Sequence, residues 1–99
     1  MSRRRGGEIN ALAGRLARAS AVEAGRDWEP MDEDERGRWV AAWQPAALAL
    51  RARRALPVTD QEVTAIARTH RRIEPAGAEP PSVGTKEAAQ MVIDLRIRS

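Results

Sequence analysis

Over residues 8–24 the apolar positions Ile9, Leu12, Leu16, Ala19 and Val22 recur at spacings of three and four. That spacing predicts an amphipathic helix, weakened at Gly14, with Arg15 and Arg18 off the stripe and Gly25 as its stop. A second helix is expected over residues 33–54. Asp32 has the identity of an N-cap, Glu35 stands three residues on in a capping-box relation, and Glu33, Asp34 and Glu35 sit where the helix dipole favours negative charge. Trp39 and Trp43, four apart, share a face with Ala42 and Ala46 beside them and Leu50 continuing it. Pro45 falls inside this pattern. Gln44 before it is a poor N-cap for a new helix, so one kinked helix is expected, closed by Arg51, Arg53 and Arg54.

The third helix carries the clearest local signal. Thr59 and Glu62 have the spacing of a capping box, Val58 and Val63 that of a hydrophobic staple, and Val63, Ile66, Ala67, His70 and Ile73 form one face. Residues 74–84 are rich in Pro and Gly and read as a linker. Two patterns overlap beyond it. Met91, Ile93, Leu95 and Ile97 alternate with polar neighbours as in a strand, whereas Ala88, Met91, Val92 and Leu95 form a helical face after a cap at Thr85. The expected architecture is therefore all-α: a basic flexible arm (1–7), a three-helix domain (8–73), a Pro-rich linker (74–84) and a C-terminal helix or strand segment (85–99).

Composition thins the core. Nineteen of the 99 residues are Ala, against 17 Leu, Ile and Val together, and the three Trp are the sole aromatic residues. Such a core leans on Trp39 and Trp43, with Trp28 seating the loop before the second helix, and order completed by a partner is expected. The absence of Cys removes disulfide and thiolate chemistry and suits a reducing compartment. No apolar run approaches the ~20 residues that cross a bilayer, and no apolar segment follows the basic start. A cytoplasmic protein without membrane association is expected.

The charge is segmented. Residues 27–35 hold six acids and no base, and residues 36–54 hold five Arg and no acid. Sixteen of the 17 cationic side chains are Arg, a residue suited to bidentate contacts with carboxylate or phosphate. A lone His without Cys cannot supply a zinc set, no Gly-rich phosphate loop is present, and no nucleophile is placed beside His70. Neither an enzyme nor a cofactor or metal site is expected. The acids of residues 32–35 are accounted for by the helix start.

The arrangement Trp28-x2-Met31-x4-Arg36-x2-Trp39-x2-Ala42, followed by Leu48 and Leu50, resembles a loop-and-helix pattern in small, mostly uncharacterised proteins of actinobacteria and their phages. Pro45 departs from that pattern. The resemblance implies an accessory protein of phage or mobile-element type and brings no catalytic residues. The expected function is thus non-enzymatic protein binding, as an inhibitor of a host complex or a component of an assembly. Arg68, Arg71 and Arg72 would form one contact and Leu95, Arg96, Ile97 and Arg98 another, the latter also able to pair with a second copy of the chain. The alternative is a small DNA-binding regulator that places Arg3, Arg4 and Arg5, with the third-helix arginines, on phosphates.

Overall fold

A computed structural model describes residues 2–55, 57–73, 81 and 84–98, with side chains from Gly7 onward. The described residues form four helices and no strand: α1 (Ser2–Glu23), α2 (Glu33–Ala52), α3 (Asp60–Ile73) and α4 (Thr85–Arg98). The all-α class is as expected, but the count of three helices is not. Residues 85–98 are one helix, neither a strand nor an appendage, and they pack into the common core. Helical residues also replace the arm expected before Glu8, since α1 begins at Ser2. Most of the expected linker, residues 74–80, 82 and 83, lies outside the described residues.

The helices form a ring in the order α1, α2, α4, α3. Among the described residues α1 and α4 pack against both α2 and α3, while the diagonals α1–α4 and α2–α3 make no close backbone approach. Side-chain pairs give the directions. Gln44 donates to Asn10 at 2.9 Å and Arg26 pairs with Glu35, so α1 and α2 are antiparallel. Arg15 meets Asp60 and Arg68 meets Glu23, so α1 and α3 run the same way. Arg96 meets Glu62 while Gly84 lies beside Ile73, so α3 and α4 are antiparallel. The connection from α2 to α3 must therefore cross a diagonal of the bundle.

The largest wholly buried side chains are Trp39, Trp43, Leu16, Leu50 and Ile66. Buried Ala13, Ala17, Ala21, Ala46, Ala47, Ala88 and Ala89 surround them, small enough to let helix backbones come close to the indoles. The inward face of α1 differs from the expected stripe. Ile9, Leu12 and Leu16 are buried as expected, but Ala13, Ala17, Ser20 and Ala21 complete that face, and Val22 points outward. α2 runs unbroken through Pro45, as one helix.

Local chemistry sets the helix ends. At α3 the capping box is complete: Glu62 N–H donates to Thr59 Oγ1 at 3.1 Å and Thr59 N–H to Glu62 Oε1 at 3.0 Å. At α2 half of one forms. Glu35 N–H donates to Asp32 at 2.8 Å, whereas the Glu35 carboxylate turns to Arg26 instead of back to Asp32. α1 and α2 end in the same Schellman geometry. Gly25 N–H donates to Val22 O and Arg26 N–H to Ala21 O; in α2 Arg54 N–H donates to Arg51 O and Ala55 N–H to Leu50 O. The left-handed position is Gly25 (φ 76) in the first and Arg54 (φ 56) in the second. For α4 the cap moves one residue from the expected Thr85: Gly84 accepts the first helical bond, from Ala88, and Thr85 is buried.

Candidate protein-binding surface on the fourth helix

α4 buries Thr85, Ala88, Ala89, Val92 and Ile93, and Arg96 extends the same stripe. The Arg96 guanidinium is accordingly committed to the fold. Its Nε donates to Glu62 Oε2 at 2.6 Å, Nη2 reaches Glu62 Oε1 at 2.5 Å and Pro57 O at 3.3 Å, and Nη1 donates to Ala55 O at 2.5 Å. One side chain thus holds both the end of α2 and the start of α3. Arg15 of α1 works from the other side of the same connection, donating to Val58 O at 3.0 Å and to Asp60 at 2.6 Å. The diagonal crossing is clasped by guanidiniums from the two helices that flank it. Together with the hydrogen bonds from Thr59, Arg96 pulls the Glu62 carboxyl down to about 2, well below the ordinary carboxylate range. The Arg96 guanidinium is held correspondingly further above its usual value.

This removes Arg96 from the expected partner-binding set. Arg68 is also engaged, donating through Nε to Glu23 at 3.0 Å, and Arg71 is half-buried. Arg72 and Arg98 are exposed. Leu95 and Ile97 are exposed too, at 58% and 75%, and Met91 joins them at 47%. Met91, Leu95 and Arg98 follow one another at spacings of four and three, so they share one flank of α4, while Ile97 lies towards the other. The inward face expected from Ala88, Met91, Val92 and Leu95 is therefore displaced, with Met91 and Leu95 turned outward. The true stripe contains polar Thr85 and Arg96 in their place. Arg3, Arg4 and Arg5 fall in the first turn of α1, where side chains are outside the described residues.

Next to α4, the outer side of α2 offers a shallow groove lined by Pro45, Leu48, Ala49, Ala52, Arg53 and Lys86. Leu48 is half exposed, and the two cations stand with small apolar residues between them. Nothing in the hydrophobic pattern announces this groove, because it depends on α4 packing beside α2. The loop from α1 to α2 shows the same use of Arg as the α2–α3 connection. Arg36 donates to the carbonyls of Trp28 (3.1 Å) and Glu29, with its guanidinium 5.8 Å from the centre of the Trp28 ring. Trp28 packs against the core from this loop, as expected.

His70, expected on an apolar face, is buried and meets Trp43 edge-on at 5.1 Å between ring centroids. Among the described residues no three His, Cys, Asp or Glu side chains come together as a metal set, and no helix is long and apolar enough to cross a membrane. No protein-family model, curated protein or solved structure matches the chain.

Proposed function

We propose that this chain is a small, non-enzymatic protein-binding module of the cytoplasm, an accessory protein that attaches through the outward side of α4. The observation that carries this reading is the double use of α4. Its inner stripe is fully occupied by the core, yet Met91, Leu95 and Ile97 remain exposed on a helix of 14 residues. Exposed apolar side chains concentrated on one element, bordered by charge, mark an interaction surface. Leu95 and Arg98 on one flank of α4, and Ile97 on the other, form the binding set, which a partner would have to straddle. Because α3 and α4 are antiparallel, Arg68, Arg71 and Arg72 lie towards the other end of that helix pair and stand apart from it. The resemblance of residues 28–50 to small actinobacterial and phage proteins supports an accessory role in a host complex or a phage assembly.

Deleting residues 85–99 cannot test this, since it would strip Ala88, Ala89, Val92 and Ile93 from the core. Sedimentation velocity on the wild type and on Leu95→Glu/Ile97→Glu is suitable, alone and mixed with extract of the cells that make the protein. The wild type should sediment as a dimer or in a larger complex, and the variant as a folded monomer. Identical sedimentation of the two proteins would sink the reading.

A further inference from the structure

The arginines at the end of α2 have no counterpart among the described residues. Arg51, Arg53 and Arg54 are exposed, and none of their guanidiniums enters a hydrogen bond or ion pair there. Asp60 and Glu62, the acids at the adjoining start of α3, are already taken by Arg15 and Arg96. The bond from Arg96 to Ala55 O brings the last turn of α4 to the same end of the bundle, where Arg98 is exposed as well. The other acids of this region are Glu8, on α1, and Asp94, which accepts from Gln90 at 3.0 Å. Positive charge predominates there.

A helix C-terminus accounts for Arg51 and Arg53 through the dipole. It does not account for Arg54. That residue occupies the left-handed position of a Schellman motif, where a side chain is disfavoured and Gly is usual. The same chain places Gly25 at the equivalent position of α1. A residue kept in a disfavoured conformation without an internal partner points to use of its side chain outside the molecule.

We propose that the end of the bundle formed by Arg51, Arg53, Arg54 and Arg98 contacts the phosphate backbone of a nucleic acid. Planar guanidiniums match phosphate oxygens two at a time. Between the three α2 arginines stands only Ala52, Ala55 after them is buried, and the one large exposed apolar side chain nearby on α2, Leu48, lies in the groove on the flank of Arg53. The contact is to backbone and carries no base recognition. This site is separate from the Leu95 surface except at Arg98, so either can fail without the other.

The test is fluorescence anisotropy with a labelled 20-bp DNA duplex and a single-stranded RNA, titrated from 50 to 200 mM salt, with polyglutamate as a third probe. Three variants accompany the wild type: Arg51→Gln/Arg53→Gln, Arg54→Gly and, as a control from the other end of α2, Arg38→Gln. Binding should weaken steeply with salt. Each arginine taken off its phosphate should reduce the slope of log K against log salt by about 0.9 for duplex DNA. The double variant should therefore show about twice that reduction, and Arg54→Gly about one step. Arg54→Gly keeps the fold, since Gly suits φ 56. Duplex binding tighter than RNA binding assigns the source as DNA, and the reverse assigns RNA. The proposal is overturned by absence of binding at 50 mM salt, by Arg38→Gln weakening binding as much as the others, by unchanged slopes in the double variant and Arg54→Gly, or by polyglutamate binding at least as tightly as either nucleic acid.

Discussion

The indole of Trp43 meets the imidazole of His70 edge-on, 5.1 Å between centroids and 64° between planes. These residues belong to α2 and α3, which stand diagonally across the bundle and whose backbones make no close approach. Their contact fills the centre that the ring of four helices leaves. It also isolates the indole N–H, because Trp43 Nε1 is buried without a hydrogen-bond partner. Trp39 carries no such burden. Truncating either ring to Ala opens a large cavity and should cost about 3–5 kcal/mol, a large share of the ~5–15 kcal/mol that stabilises a domain. The conservative change separates them. Trp43→Phe removes an unsatisfied donor worth about 1–3 kcal/mol and should cost less than Trp39→Phe, measured by urea denaturation. Equal losses would contradict the unsatisfied N–H.

The Arg96–Glu62 pair gives a pH dependence of definite sign. Glu62 is lowered from 4.5 to about 2 in the folded chain. A carboxyl with a depressed folded value stabilises above its unfolded value, and that stability drains away as pH falls through the folded value. The contribution is therefore complete above about 4.5 and lost between there and about 2. Arg96→Gln should flatten this acid limb. Both partners retain solvent contact, 36% for Arg96 and 23% for Glu62, so the loss at neutral pH should be about 1–2 kcal/mol rather than the full worth of a buried pair. Denaturant midpoints from pH 2 to 7 provide the comparison, and a steeper acid limb in the variant would contradict the assignment.

Three positive-φ positions should respond in different directions. Arg54→Gly relieves a left-handed side chain and should stabilise by about 0.5–1 kcal/mol. Gly25→Ala should destabilise by about 1 kcal/mol, as nothing lies near the added Cβ but φ is 76. Gly84→Ala should be worse, about 2–3 kcal/mol, because its Cβ would also stand 2.7 Å from Ile73 Cγ2. Thermal midpoints rank the three. A stabilised Gly84→Ala protein would contradict the placement of Gly84 against α3.

Much of this fold was legible in the sequence wherever one residue type has one physical use. The Thr59–Glu62 capping box, the Gly25 stop, the Asp32 cap and the passage of α2 through Pro45 all appear as local chemistry predicts. Alanine hid the register of α1, because Ala13, Ala17 and Ala21 do not look like core residues until a neighbouring helix needs the room. Polar residues at inward positions hid α4. With polar Thr85 and Arg96 on the inward stripe, the alternation of Met91, Ile93, Leu95 and Ile97 competed with the helical pattern and left helix and strand both open. The candidate site was half legible. Ile97 and Arg98 lie exposed where the sequence offered them as contacts, but Leu95 also fitted an inward helical face, and the fate of Arg96 depended on three acceptors 34 to 41 residues away in sequence.

Leu95 and Arg96 are neighbours in the chain with opposite surroundings, one exposed and proposed for a partner, the other bonded to Glu62, Ala55 and Pro57 within the fold. A photo-crosslinking residue placed at Leu95 or Ile97, in the cells that make the protein, tests the binding surface most directly. The expected result is a discrete protein adduct from both positions, to a partner or a second copy, with none from exposed Ala11 on α1. Adduct formation at Ala11 but not at Leu95 or Ile97 would contradict a binding surface on α4.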